Sequence, residues 1–384
     1  MKKLSIKGLF SIAAQEGNSF SSTLSEMLLP RVNAQLHLLE ILSKESSSNR
    51  MYNNSIESLK ALYSDTLEFA SNIGQQPVKK RMNNNLFQTS TLTSTRMKKF
   101  ISNKFEFLDA RHSTVIETFA DIVKIMEEKN RDEALITTFL ENQTSTSLLL
   151  QHGFLLSSKK FHQPTGCAQY DCNIFNMCEG VIEHATNLAD HNVNGLHRCP
   201  MINLKESRNC NMRSSIDCVP SSVRFVLLEL VKNAISSTLL QSQSCNYKAS
   251  VPPIDVILES TDAYVIVYVK DNGEGLRGKT LSDLSKFVHN VKRGEIQSNQ
   301  QPQASYQPQS AALSGMGAGL SVALVWARKF GGDLELLDRS GHDACSNSSS
   351  AENGCKTEDS NSNSNSSGVV AKFLIPRDID IEEK

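Results

Sequence analysis

Apolar side chains recur at helical spacing through most of the first 156 residues. One set is Val32, Leu36, Leu38, Leu39, Ile41 and Leu42, and a second is Ile56, Leu59, Leu62, Tyr63 and Leu67. A third is Val115, Ile116, Phe119, Ala120, Ile122, Val123, Ile125 and Met126, and a fourth segment runs from Ala134 to Leu156. Proline is sparse here and strand-like alternation is absent. The pattern predicts four long helices packed as an antiparallel bundle over residues 1–156. The polar loops between them include 43–54 and 72–90. Residues 157–172 read as a linker.

Beyond the linker, in 173–384, the pattern changes. A helix is expected at 174–192, followed by a strand-poor stretch to Val219. Another helix follows Pro220 and Ser221, with Ser221 or Ser222 as its N-cap. The β-branched runs 254–258 and 264–270, separated by the polar stretch 260–263, read as a hairpin. A glycine cluster at 315 opens a helix that reaches Phe330 and stops at Gly331 and Gly332. Strands are expected at 334–337 and 369–375. Helices and mixed strands in this order predict an α/β sandwich. Two polar segments interrupt it. Residues 346–368, of which 14 of 23 are Ser or Asn, cannot bury apolar area and read as a disordered surface insertion. Residues 297–309, rich in Gln, Pro and Ser, lie between two motifs described below and read as a candidate lid.

At 384 residues, both halves can hold a core of their own. A net charge of −1, from 40 basic and 41 acidic residues, gives no reason to expect nucleic acid as a partner. No run of about 18 apolar residues exists, so no membrane span is expected. The nine cysteines lack a zinc-ligand spacing and read as free thiols in a reducing compartment. The first eight residues carry three lysines, with no acid before Glu16. A short mitochondrial presequence has this look, and so does an ordinary first helix with solvated lysines.

Three clusters carry chemistry. On a helix, Glu229, Lys232, Asn233 and Ser236 share one face, while Leu227, Leu230, Val231 and Ala234 cover the others. Such a stripe is ordinarily a solvated face, but on an apolar helix it is costly unless used. Asn233 can give Mg²⁺ one oxygen ligand, Lys232 can neutralise phosphate charge, and Glu229 can accept a proton from an attacking hydroxyl. Asp271 ends a β-run and leads into Asn272, Gly273, Glu274 and Gly275. Alone this is a strand-ending turn. A buried carboxylate there can also accept a hydrogen bond from the adenine amino group, with glycines letting the backbone pass close to the base. Gly315, Met316, Gly317, Ala318, Gly319 and Leu320 open a helix whose N–H groups can cradle a triphosphate; alone, they are a flexible linker. The spacing is not that of a dinucleotide fold, and neither a Walker loop nor the usual protein-kinase motifs occur. Together the three clusters describe a nucleotide pocket and point to ATP-dependent phosphoryl transfer.

These residues resemble the N, G1 and G2 boxes of the GHKL ATPases, the superfamily of gyrase, Hsp90, histidine kinases and MutL. Within it, the chain resembles the mitochondrial kinases that phosphorylate a serine on the E1α subunit of a 2-oxo-acid dehydrogenase complex. The spelling agrees at Val219 to Ser221, Glu229 to Ala234, Gly317 to Ala323 and Ala327 to Leu336. It agrees also at Arg111 to Ala120, Gln151 with His152, Cys172 with Asn173 and, loosely, Leu29 to Arg31. The resemblance covers nearly the whole chain. It implies an N-terminal antiparallel four-helix bundle followed by a GHKL (Bergerat-type) α/β sandwich that binds ATP.

By the same resemblance Glu229 is the general base, Lys232 a phosphate-interacting residue, Asn233 the Mg²⁺ ligand and Asp271 the reader of adenine. Gly273, Gly275, Leu276, Gly315, Met316, Gly317, Ala318, Gly319 and Leu320 line the nucleotide. Implied partners are E1α, the lipoyl-bearing E2 subunit and a second copy of the chain, in the mitochondrial matrix, with phosphorylation inactivating the complex. The Val219 to Ser221 spelling places pyruvate dehydrogenase slightly ahead of the branched-chain enzyme as substrate. The chain departs from the family at Phe225, Ser236, Asn272, Glu274 and Val369, and has Asn142 and Thr146 where the family has paired arginines. Two other readings stand beside this one. One is a two-component histidine kinase, with His112 as phosphoacceptor. The other is a nucleotide-binding scaffold without catalysis, suggested by Phe225, Ser236 and Val369.

Overall fold

In the computed structural model the described residues are 4–15, 19–44, 49–74, 87–126, 132–158, 163–192, 199–207, 214–244, 251–287, 318–339, 368–378 and 380. Six helices make up the first half: α1 (Ile6–Ala13), α2 (Ser19–Lys44), α3 (Arg50–Gly74), α4 (Phe87–His112), α5 (Val115–Ile125) and α6 (Glu133–Ser157). Side-chain caps start three of them, the cap of α3 being Asn49, whose Oδ1 accepts from Met51 N at 2.9 Å. Ser5 Oγ accepts from Gly8 N in α1, and Asp132 Oδ1 accepts from Ala134 N in α6. One face of α3 buries Ile56, Leu59, Leu62, Tyr63, Phe69 and Ile73 in the bundle core, and α3 packs on α2, α4 and α5. In turn α6 packs on both α2 and α4.

The four long helices of this bundle are α2, α3, α4 and α6; the third apolar set seen in the sequence is the short α5. The expected loop at 72–90 is correspondingly shorter, with Gly74 and Phe87 already helical, and so is that at 43–54. Two things hid α4. Its first dozen positions are dominated by Thr, Ser, Lys and Arg, and only Ile101, Phe105 and Leu108 of the rest form its buried apolar stripe. In α1, Leu4, Ile6, Leu9, Phe10 and Ile12 are buried, and the Phe10 ring stacks on Tyr170 at 3.8 Å. Leu4 and the buried face of α1 are therefore part of the bundle core.

The second half is a five-stranded sheet of order β2-β4-β5-β7-β6 with helices on one face. Its strands are β2 (Ile202–Glu206), β4 (Ile254–Ser260), β5 (Tyr264–Lys270), β6 (Asp333–Asp338) and β7 (Val369–Pro376). Only the β2–β4 pair is parallel. The predicted hairpin is β4–β5, and the two later strands are β6 and β7. Strands β2 and β3 (Ser215–Cys218) lie in the stretch expected to be strand-poor, and β1 (Gln169–Asn173), which pairs with β3, falls at the end of the segment read as a linker. These strands have four or five residues, too few to show a period. Helices α7 (Ile174–Asn192), α8 (Pro220–Ser244) and α10 (Gly319–Lys329) cover the sheet, and a single turn, α9 (Leu281–Leu284), follows β5. Pro220 is itself the first residue of α8, so Ser221 and Ser222 lie in its first turn and neither is the N-cap.

The two halves share a core. Val219, Phe287, Ala318, Val322 and Phe330 join the apolar cluster of the bundle. Lys329, at the end of α10, is buried and donates to Thr144 Oγ1 (3.2 Å), Ser145 Oγ and the Glu141 carbonyl of α6. Residues 297–309, all but the last residue of the 346–368 insertion, and Gly315, Met316 and Gly317 lie outside the described residues. No described helix is long and apolar enough to cross a membrane. Among the described residues no cluster of three His, Cys, Asp or Glu side chains could hold a metal, and Cys167, Cys172, Cys178, Cys199 and Cys218 are free thiols.

Candidate functional site

Helix α8 brings the first group of site residues together. Its apolar face, with Val226, Leu227, Leu230, Val231 and Ala234, is buried in the α/β core. That packing turns Glu229 and Lys232 toward the N-terminus of α10. Both are buried, and Lys232 Nζ lies 2.6 Å from Glu229 Oε1. The other carboxylate oxygen, Oε2, lies where a side chain at residue 319 would have to go, so the close approach of α10 to Glu229 requires Gly319. One oxygen is thus held by an ammonium, while the other sits at the first turn of a helix, where N–H groups point outward. Asn233 is exposed and Ser236 half-buried on the same helix. One turn before Glu229, Phe225 packs against both apolar cores, at the seam between the halves.

Strand β5 and the turn after it build the second group. Asp271 is buried, and its Oδ1 accepts from Gly273 N at 2.8 Å and from Val369 N at 3.1 Å. Among the described residues no donor reaches its Oδ2. Burial pushes the carboxyl above the usual carboxylate range, against the two amides that favour the ionised form. The turn lies tight on α8. A side chain at 273 would collide with Ser237, and Asn272 N donates to Thr238 Oγ1 at 3.4 Å. Gly275 is in the left-handed region at φ 76°, which favours glycine there. Leu276 N donates to Asp338 Oδ1 at 2.8 Å. At the head of β7, a side chain on Gly368 would collide with the Asp271 carbonyl.

Of the thirteen site residues read from sequence, the structure places ten. Glu229, Lys232, Gly319, Ala318 and Leu320 gather where α8 meets α10. Asp271, Gly273, Gly275 and Leu276 form the turn against α8, and Asn233 faces outward. Gly315, Met316 and Gly317 are the three outside the described residues. Two further residues of the site carried no motif: Asp338 and Arg339, at the end of β6. Arg339 Nη1 donates to Asn272 Oδ1 at 2.6 Å and to the Asp271 carbonyl at 3.2 Å. The one signal in sequence was a charged pair directly after an apolar strand.

His112 has a different setting. It is buried, with Nε2 2.9 Å from Thr66 Oγ1 and Nδ1 3.4 Å from Gln143 Oε1. Thr66 already donates to the Leu62 carbonyl, so the imidazole is assigned as donating Nε2–H to it. Burial, with Arg111 adding to it, holds the His112 pKa at about 4. A ring enclosed in this way cannot meet a nucleotide without opening the bundle.

The pocket suits a nucleotide on three counts. A carboxylate stands at a strand end with one oxygen uncommitted. Glycines stand where side chains would fill the space beside Glu229 and beside Asp271. The N-terminus of a helix faces a buried Glu–Lys pair. Comparison with known proteins agrees. Residues 218–376 match the family described as histidine kinase-, DNA gyrase B-, and HSP90-like ATPase, so the α/β half is an ATPase domain of GHKL type. Over about two thirds of its length the chain is distantly similar to mitochondrial pyruvate dehydrogenase kinases. It is 24% identical to "[Pyruvate dehydrogenase (acetyl-transferring)] kinase, mitochondrial" of Ascaris suum, over 67% of this chain and 63% of that protein. It is 24% identical to isozyme 4 of Mus musculus, over 62% and 59%, and 24% identical to the Schizosaccharomyces pombe kinase, over 64% and 58%. The chain therefore spans about three fifths of the length of the curated relatives it matches.

Proposed function

We propose that this chain is an ATP-dependent protein serine kinase that phosphorylates, and thereby inactivates, the E1α subunit of a mitochondrial 2-oxo-acid dehydrogenase complex. Pyruvate dehydrogenase is the favoured substrate over the branched-chain enzyme, since the relatives named above are pyruvate dehydrogenase kinases. The observation that carries the reading is the Glu229 carboxylate, bonded to Lys232 on one oxygen and set against Gly319 at the start of α10 on the other. Bound Mg-ATP supplies the γ-phosphoryl group. Asp271 Oδ2 accepts from the adenine amino group, and Asn233, exposed beside the pair, offers one oxygen to Mg²⁺. Lys232 holds the Glu229 carboxylate at 2.6 Å and lies within reach of phosphate oxygens. Glu229 takes the proton from the attacking serine hydroxyl, and the amides at the head of α10 meet the charge that gathers on the phosphates. The lipoyl-bearing E2 subunit, a second copy of the chain and a matrix location belong to the same proposal.

The test is transfer of γ-labelled phosphate from Mg-ATP to purified pyruvate and branched-chain E1 in parallel. Acid-stable phosphoserine on E1α, with more on the pyruvate enzyme, is the expected result. Acid-labile phosphate on the chain itself would point to a histidine kinase. Binding of ATP with no transfer to either E1 would leave a scaffold and sink the kinase.

A further inference from the structure

Asp338 and Arg339, the last residue of β6 and the one after it, reach across the edge of the sheet into the turn that carries Asp271. Asp338 Oδ1 accepts from Leu276 N on one side of the turn. On the other side the Arg339 guanidinium spans two acceptors, the Asp271 carbonyl at 3.2 Å and Asn272 Oδ1 at 2.6 Å. The Arg339 backbone is fixed too, since its N–H donates to the Gly368 carbonyl at 2.9 Å. Gly368 in turn lies against the Asp271 carbonyl, and the next residue, Val369, donates to Asp271 Oδ1. Asn272 is anchored from behind, its Nδ2 donating to the Pro253 carbonyl at 2.6 Å. The carboxylate that would read the base therefore belongs to a strand end gripped at its carbonyl, at its neighbour's side chain and at its own Oδ1.

We propose that Arg339 is a positioning residue for base recognition: by holding the Asp271 carbonyl and Asn272 together it aims Asp271 Oδ2 at the exocyclic amino group of adenine. This rests on the nucleotide reading given above. The physical reason is geometric. The end of β5, where the chain leaves the sheet for the turn, can pivot about its last backbone bonds, and a carboxylate that pivots can no longer favour a donor over an acceptor at the 6-position of a purine. Two N–H groups on one guanidinium nitrogen, Nη1, hold the two oxygens in the fixed plane of the guanidinium and remove that pivot; an ammonium, with the charge but without that fixed plane, does so in part.

Calorimetry on the full chain, with ATP and with inosine triphosphate, tests it. Inosine triphosphate replaces the 6-amino group by a carbonyl, turns N1 from an acceptor into an N–H donor, and leaves the sugar and triphosphate unchanged. Wild type binds ATP more tightly than inosine triphosphate. Arg339→Met should narrow that preference by roughly tenfold, with Arg339→Lys in between. General loosening of the domain would weaken both nucleotides alike and leave the ratio where it was. An Arg339→Met protein that is folded and keeps the wild-type ratio overturns the proposal while leaving the nucleotide site standing. If Arg339→Met does not fold, an unchanged ratio in Arg339→Lys overturns it. A wild type that does not distinguish the two nucleotides removes adenine reading by Asp271, and the role of Arg339 with it.

Discussion

Each half of the molecule buries a cluster of polar side chains, and the two clusters are finished differently. In the bundle, Gln35 donates to Tyr63, Tyr63 donates to Gln143, Gln143 donates to the His112 carbonyl, and His112 meets Thr66. These groups are neutral and bond to one another, and burial keeps the His112 imidazole uncharged near pH 7. In the α/β half the cluster is charged and only half committed. Glu229 is bonded to Lys232 through one oxygen, Asp271 is bonded through Oδ1 alone, and Asn233 is exposed. Apart from Gln35 Oε1, which is buried without a partner among the described residues, the first cluster finds its partners inside. The second leaves Asp271 Oδ2 without a donor among the described residues. Polar burial by itself is thus no sign of function; the sign is a bonding capacity left open toward a cleft.

If this contrast is right, substitutions in the two clusters separate chemistry from stability. Glu229→Gln should lower phosphoryl transfer by about 10²-fold or more while Mg-ATP still binds. Transfer at the wild-type rate in a labelled-phosphate assay would take Glu229 out of the mechanism. Asp271→Ala should weaken ATP binding by about 1–3 kcal/mol, measured by calorimetry on folded protein, because the adenine donor loses its acceptor. Gln143→Leu should do the reverse, costing about 1–3 kcal/mol in chemical denaturation and leaving ATP affinity alone. A loss of ATP affinity there would mean the bundle network reaches the nucleotide.

Acid should also tell the clusters apart. His112 and His152 have folded pKa values lowered to about 4 by burial, from 6.5. Their stability contribution is present above 6.5 and is lost as pH falls from there toward 4, by up to about 3 kcal/mol for each. Asp109, raised to about 6 by burial, opposes them, since its contribution is present below 3.8 and lost as pH rises through 6. Asp271, also raised by burial, works in the same direction as Asp109. A His112→Gln protein whose melting temperature depends on pH as steeply as that of wild type would remove His112 from this account. The smallest effect is expected from the insertion. The backbone bond from Arg339 N to the Gly368 carbonyl already joins its two roots. Replacing 346–366 by a Gly-Ser turn should keep ATP binding and leave the melting temperature equal or slightly higher. Loss of ATP binding in that folded variant would place the insertion in the site.

Long elements with a full apolar stripe or a β-branched run were legible in sequence. Helices α3, α6 and α7 and strands β4, β5 and β7 fall where their patterns put them. So were the three motif clusters, because each needs particular residue types at fixed spacing: a carboxylate three residues from a lysine, an Asp leading into glycines, glycines opening a helix. Helix α4 was not legible, since its buried stripe is three apolar residues in a polar helix. Strands β1, β2 and β3 were too short to show a period.

Sequence alone determined the two-part architecture and the residue types at the pocket, since local periodicity and backbone freedom are properties of neighbouring residues. It could not determine that Gly319 stands against Glu229, ninety residues earlier in the chain. Nor could it show that Arg339 closes on the turn after Asp271, or that Lys329 joins α10 to α6. Those contacts pair residues far apart in the chain. Only the packing of α8, α10 and the sheet edge brings them within bonding distance.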